Sequence, residues 1–328
     1  MLMSNRDRPA RLHYMAYSFR VLQAGDHVVC AVSGQKIALD DLRYWSIARQ
    51  EPYASAELSA QAAAAILLLA NTPPPADLSL TGTPQQGAVL TGTAPAGTVD
   101  LRLDNQPVAV DSDGRFLIAF DRDAPPQAHL VARLADGRRI ERPLAVAPRA
   151  WRIEQVNAPL RPVRDNAAFL ALRRPELERI AAARAQQTDA AGWRQRFIWP
   201  RVGRISGLFG AQRVYQGTPG AYHGGVDIAA AAGEPVVAPA DGVVVLAADH
   251  PFTLEGNLLM IDHGHGLGSA FLHLSRIDVT LGQHVNQGQR VGAIGATGRA
   301  TGPHLHWGMR WNDARIDPLL VAGPMPDN

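Results

Sequence analysis

The chain has 328 residues, 46% of them apolar and 19% charged, a balance that suits folded domains and argues against disorder. Its net charge is +2, and no Lys/Arg run interleaved with aromatics occurs, so nucleic-acid binding finds no support. The single cysteine, Cys30, excludes an intrachain disulfide and any Cys-x-x-Cys metal pair.

Residues 1–60 read as a small N-terminal domain or extension. The first 20 are polar and Arg-rich, without the apolar run of a secretory signal. From Val28 to Trp45 strand-like and turn-like pieces alternate, and residues 21–58 weakly resemble a small bacterial domain of unknown function. So short a piece cannot build a large core alone. Residues 61–77 hold an apolar run, Ala62 to Ala70, and a Pro-rich linker. The run is shorter than the about 20 residues a membrane-spanning helix needs. It reads either as a buried helix or as the apolar centre of an export signal preceded by an extension.

Residues 78–148 alternate short β-rich pieces with turns such as Asp104-Asn105, Asp113-Gly114 and Asp136-Gly137, the pattern of a small β-sandwich. No set of reactive side chains stands out there, and a spacer or docking module is expected. Residues 149–198 form a connector with one helix opening at Pro175. Leu177, Ile180 and Ala181 should face inward, with Arg179 and Arg184 outside. Beyond it, strands are expected at Ile205–Phe209, Pro235–Val237, Gly242–Ala247, Leu258–Asp262, Ser269–His273, Arg290–Ile294 and His304–Met309. The expected fold is mainly β: an antiparallel sheet carrying a groove, preceded by the sandwich and the connector.

Of the eleven histidines, His223, His273, His304 and His306 sit in patterns that carry chemistry. A strand points residues i and i+2 to one face, so His304 and His306 lie together while Leu305 and Trp307 face away. An isolated His-x-His is more often the wet face of a half-exposed strand. His223 and Asp227, fully extended, would stand roughly 13 Å apart, too far to share one ion. Gly224-Gly225 allows the chain to bend and bring them together. Asp227 opens an apolar run, where a carboxylate needs a cation partner. His273 lies in alternation, with Phe271 and Ser275 on its side and Leu272 and Leu274 on the other. Three protein ligands would leave a fourth tetrahedral position for water, the mark of a catalytic zinc site. His263 and His265 form a second His-x-His inside a glycine-rich turn and rank below it; they and the remaining histidines, including His27, read as surface or loop residues.

His-x-x-x-Asp, a lone histidine and then His-x-His, together with Ala238-Pro239-Ala240-Asp241-Gly242 and Gly295-Ala296-Thr297-Gly298, resemble the lysostaphin-type (LytM-type) zinc metallopeptidases, metallopeptidase family 23. The resemblance covers about residues 199–320 and implies a zinc metallopeptidase domain over 199–322. It implies that His223, Asp227 and His306 bind one Zn2+ and that His304 and His273 are the catalytic pair; spacing alone does not say which histidine of His-x-His is the ligand. It further implies cleavage of peptide bonds in peptidoglycan, often in stem-peptide cross-links, at a periplasmic or cell-envelope location, with cell-wall hydrolases or divisome proteins as partners. A second reading is a non-catalytic LytM-type activator or scaffold, although such relatives usually lose ligand positions and all are filled here. The segment from Gly282 to Ile294 also resembles lipoyl- and biotin-carrier hairpins, but those need an exposed lysine, and Lys36 is the only lysine in the chain.

Overall fold

The computed structural model describes residues 8–16, 18–47, 49–71, 77–160 and 166–326. The chain divides into two compact units, Met1–Pro73 and Pro74–Asn328. In the first, short antiparallel hairpins (Arg11–Met15 with Ser18–Gln23, His27–Val29 with Lys36–Ala38, Tyr44–Ser46 with Glu51–Tyr53) enclose a small core of Leu12, Tyr14, Val28, Cys30, Ile37 and Leu42. His27 is buried there, its Nδ1 2.7 Å from the Asp26 carboxylate, rather than on the surface as expected. Helix α1, Ala56–Asn71, contains the apolar run. The side chains of 64–71, and residues 72–76, lie outside the described residues, and with them most of the expected export segment. No described helix is long and apolar enough to cross a membrane.

The second unit is mainly β. Residues 78–148 form two facing sheets, one ordered Arg115–Ala119, Val89–Thr93, Ser79–Thr81 and the other Gln106–Pro107, Thr98–Leu103, Gln127–Leu134, Arg139–Ala145. Every second residue of Gln127–Leu134 is buried, as a half-buried strand requires. Phe116, Ile118, Leu130 and Ala132 close the space between the sheets.

Helix α2 spans Ala167–Ala185 and begins eight residues before the expected Pro175, which lies inside it. The Asn166 side chain caps it, accepting from the Phe169 amide at 2.7 Å. Its buried face is Glu176, Ile180 and Ala183, while Leu177 is exposed, contrary to the expected stripe. Polar anchoring explains the difference. Glu176 accepts from the Thr253 amide and hydroxyl, both at 2.6 Å, and Arg173 forks onto Glu255 at 2.6 and 2.7 Å.

The C-terminal sheet uses β1 (Arg204–Gly207), β2 (Val226–Ala229), β3 (Gly242–Ala247), β4 (Asn257–Asp262), β5 (Leu267–Leu274), β6 (His284–Val285), β7 (His304–Trp311) and β8 (Ala314–Ile316). Among the described residues its order is β1-β2-β7-β5-β4-β3-β6, with β8 beside β7, and all these pairings are antiparallel. Val226, Ile228, Leu259, Phe271, Leu305 and Trp307 are fully buried on one face. A smaller sheet, ordered Pro235–Val237, Arg290–Ala293, Arg276–Ile277, adds Val236 and Val291 to the same core. That core runs without a break into the sandwich.

His263 lies in the turn between β4 and β5, as its glycine neighbours suggest, but it is buried there. Its Nδ1–H donates to the Asp241 carbonyl (2.8 Å), and its Nε2 meets the Ser269 hydroxyl (2.9 Å). Burial pushes its pKa down to about 4. On β7, Leu305 sits between two site histidines and points into the core. Leu305→Ala should therefore destabilise this unit by about 2–5 kcal/mol in denaturant unfolding.

Candidate metal centre

The β2–β7 register builds the site. Asp227 stands directly across from His306 and Ala229 across from His304, while Val226 opposes Trp307 and Ile228 opposes Leu305. Side chains alternate along each strand, so the polar partners share one face and the apolar partners fill the core. His223 reaches the same place from the preceding loop. Its amide donates to Ala211 O (2.8 Å), and its carbonyl accepts from the Gly210 amide (2.9 Å). Its Nε2 lies 3.0 Å from Asp227 Oδ1 and 3.0 Å from His306 Nδ1, which is itself 2.9 Å from that carboxylate oxygen.

Protons decide what such a cluster can hold. His223 Nδ1 lies 3.0 Å from the Leu208 carbonyl, and a carbonyl only accepts, so Nδ1 carries the proton. In the neutral ring, Nε2 then presents a lone pair to a carboxylate and to a second imidazole. Three lone-pair donors this close repel one another unless a cation or shared protons lie between them. Two imidazole nitrogens and one carboxylate oxygen are a catalytic zinc donor set, and bonds of about 2.0–2.1 Å would place such donors about 3.3 Å apart. The observed spacing fits after slight expansion. Side-chain exposures of 24% for His223, 24% for Asp227 and 15% for His306 leave one side open to a further ligand.

The electrostatics agree. Burial alone would raise the Asp227 pKa, but hydrogen bonds from His223 and His306 and their charges hold it well below the usual carboxylate range. Burial would lower His223, but Asp227 outweighs it and raises that imidazole. Burial keeps His306 low, and it does the same for His273, helped by His304 and His306.

His304 and His273 flank this group. His304 Nδ1–H donates to Gly302 O at 2.8 Å, and its Nε2 stands 3.8 Å from Asp227 Oδ1. His273 Nδ1–H donates to Thr297 O at 2.9 Å, and the two rings lie 4.9 Å apart, centroid to centroid. Both tautomers leave Nε2 as a lone pair.

His273 reaches the site by a route that simple alternation misses. Asn257 pairs with Leu274 and Leu259 with Phe271, so β5 carries one more residue than β4 across the same span. This bulge puts His273 at φ +64°, in left-handed space that a non-glycine residue adopts only when its surroundings demand it. Phe271 and Leu274 both enter the main core, while Leu272 packs on the other side with Phe252 and Met260. The expected pairing of His273 with Phe271 on one face is thereby corrected.

Two glycines lie against the site, Gly225, read from the sequence only as a bend, and Gly207, which was missed. A Cβ on Gly207 would lie 2.3 Å from Asp227 Oδ2, and one on Gly225 would lie 2.8 Å from His306 Nε2. A glycine inside a predicted strand was the available signal for Gly207. Two polar residues outside this cluster are tied elsewhere: the Asn257 side-chain amide donates to Leu274 O (2.9 Å), and Arg213 pairs with Glu154 (2.9 Å).

Residues 221–318 match the sequence pattern of Peptidase family M23. Over that stretch the chain is similar to that family. Residues 21–62 match a family described as an uncharacterized protein conserved in bacteria, DUF2093. The M23 region is similar to Peptidoglycan DD-endopeptidase ShyA of Vibrio cholerae, 45% identical over 132 residues that cover 40% of this chain and 30% of that protein. It is also similar to Cell division protein DipM of Caulobacter vibrioides, 37% identical over 147 residues, covering 43% of this chain and 23% of that one. The matched stretch thus spans less than a third of either relative. A crystal structure of a Pseudomonas aeruginosa protein described as a peptidase M23 superposes with a TM-score of 0.54 at 29% identity, covering 79% of this chain and 98% of that one.

If His223, Asp227 and His306 bind zinc, His223 is the donor whose proton the ion must displace, because its imidazole is held above its ordinary value while Asp227 and His306 are held below theirs. Zinc affinity should fall as pH drops below the raised His223 value. Calorimetry near pH 6 in two buffers of different ionisation heat should show about one proton released per zinc; release of two, or none, would contradict this electrostatic account.

Proposed function

We propose that this protein is a zinc-dependent endopeptidase that hydrolyses peptide bonds of peptidoglycan, and that it acts outside the cytoplasmic membrane, where that polymer lies. The observation that carries the reading is the meeting of His223 Nε2, Asp227 Oδ1 and His306 Nδ1 within 3.0 Å of one another beside two further histidines. Similarity to a peptidoglycan DD-endopeptidase supports the substrate class.

In this reading His223, Asp227 and His306 hold the ion. Bound zinc would lower the pKa of a coordinated water to about 7 and polarise the scissile carbonyl. His304, its Nδ1–H fixed on Gly302 O, offers Nε2 as the base that takes the proton from water. His273 is fixed in the same way on Thr297 O. While neutral it accepts at Nε2; once protonated it donates there. Its part in stabilising developing negative charge therefore follows proton transfer into the histidine pair. Burial keeps His273 neutral at rest, which suits a group that gains its proton only during turnover.

One relative, DipM, is named for cell division rather than for hydrolysis, which leaves a second reading, a non-catalytic activator of another wall hydrolase. Digestion of purified peptidoglycan with and without a chelator, followed by mass spectrometry, separates the two. The endopeptidase reading expects chelator-sensitive release of muropeptides. His306→Ala should abolish zinc binding and release together. His304→Ala should keep zinc yet slow release by about 10²–10⁴-fold. Zinc-loaded wild-type protein that releases nothing, while stimulating a partner hydrolase, would favour the activator.

A further inference from the structure

The sandwich sends one buried charge into the M23 domain. Arg122 is 6% exposed. Its Nε and one terminal nitrogen donate to Gly210 O at 3.1 and 3.0 Å, and that same nitrogen donates to Gln212 Oε1 at 3.0 Å. The other terminal nitrogen meets Asp123 at 2.6 Å. The guanidinium lies over the rings of Trp151 (5.3 Å) and Tyr222 (4.7 Å). Its neighbour Asp121 accepts from the Arg315 amide at 2.8 Å.

The two anchored residues bracket Ala211, whose carbonyl accepts from the His223 amide. Gly210, held at its carbonyl by Arg122, donates through its amide to the His223 carbonyl. Leu208, two residues earlier, accepts from the His223 ring. Arg122 thus grips the backbone that fixes both the main chain and the imidazole of His223. Asp121 also reaches this region, accepting from the Tyr222 hydroxyl at 3.4 Å, but among the described residues no other sandwich side chain hydrogen-bonds the 208–211 backbone. A separate charged cluster, Asp111 and Asp113 with Arg194 and Asp111 with His265 (2.9 Å), joins the short helical turn at Gly192–Arg194 and the turn between β4 and β5, away from the histidine loop.

We propose that Arg122 is a positioning residue for the metal centre: the sandwich, through this guanidinium, orients His223 and thereby sets metal affinity. The proposal rests on the metal-site reading above. Partners that orient a metal ligand typically contribute 10–100-fold in affinity.

The test uses the full chain. Zinc dissociation constants are measured by competition with a chromophoric chelator, and the visible spectrum of the Co2+-loaded protein reports ligand geometry. Arg122→Met should weaken zinc binding by about 10–100-fold and alter the cobalt bands, and Arg122→Lys should recover part of the loss. Arg194→Met, which removes the guanidinium from the Asp111–Asp113 cluster and leaves Asp111 on His265, should lower the melting temperature but leave zinc affinity and cobalt bands unchanged. If Arg122→Met does not fold, Arg122→Lys set against Arg194→Met carries the comparison. Equal zinc affinity in wild type and the Arg122 variants, whatever their melting temperatures, would overturn the proposal. A wild-type protein that binds no zinc would overturn the metal-site reading and this inference with it.

Discussion

The site depends on one constraint, the register between β2 and β7. Asp227 faces His306 because Val226, Ile228, Leu305 and Trp307 are all fully buried on the opposite face. A one-residue slip of β2 would drive Asp227 into the apolar core and lift Val226 and Ile228 into water, and a slip of β7 would do the same with His304 and His306 against Leu305 and Trp307. The core thus fixes these side chains more firmly than they could fix one another. A carboxylate held beside two imidazoles, with its proton strongly disfavoured, is the electrostatic result of that packing.

Around this pair the remaining groups arrive by irregular backbone, each tied by hydrogen bonds to main-chain carbonyls. His223 hangs from a loop fastened at Leu208, Gly210 and Ala211. His273 sits on a bulge pinned by Thr297 and by its own amide, which donates to Glu255 O at 2.8 Å. Glu255 in turn receives Arg173 of α2. The connector and the sandwich are therefore mechanically joined to the site, and their shared core with the M23 domain makes the second unit one packed body.

The parts of this arrangement with a strict period were legible in the sequence. The alternation of His304 and His306 against Leu305 and Trp307 follows from strand geometry, and Pro235–Val237 and Gly242–Ala247 are strands as expected. What failed was local, where contacts distant in sequence override the pattern. The extra residue in β5 cannot be counted without its partner strand, so His273 was placed on the wrong face. Pro175 reads as a helix start, yet polar anchors to Thr253 and Glu255 hold the helix on both sides of it. His263 lies among glycines and reads as a turn residue, but Ser269 and the Asp241 carbonyl satisfy it inside the core. The Val226–Ala229 strand was read only as an apolar run, because four residues are too few to show a period.

The account's central claim is tested most directly by X-ray absorption at the zinc edge on metal-loaded full-length protein. It predicts about four nitrogen or oxygen neighbours at about 2.0–2.1 Å, with the outer-shell scattering of two imidazoles and no sulfur. An octahedral oxygen shell, a sulfur neighbour, or a spectrum unchanged when Asp227 and His306 are both replaced by alanine would contradict it.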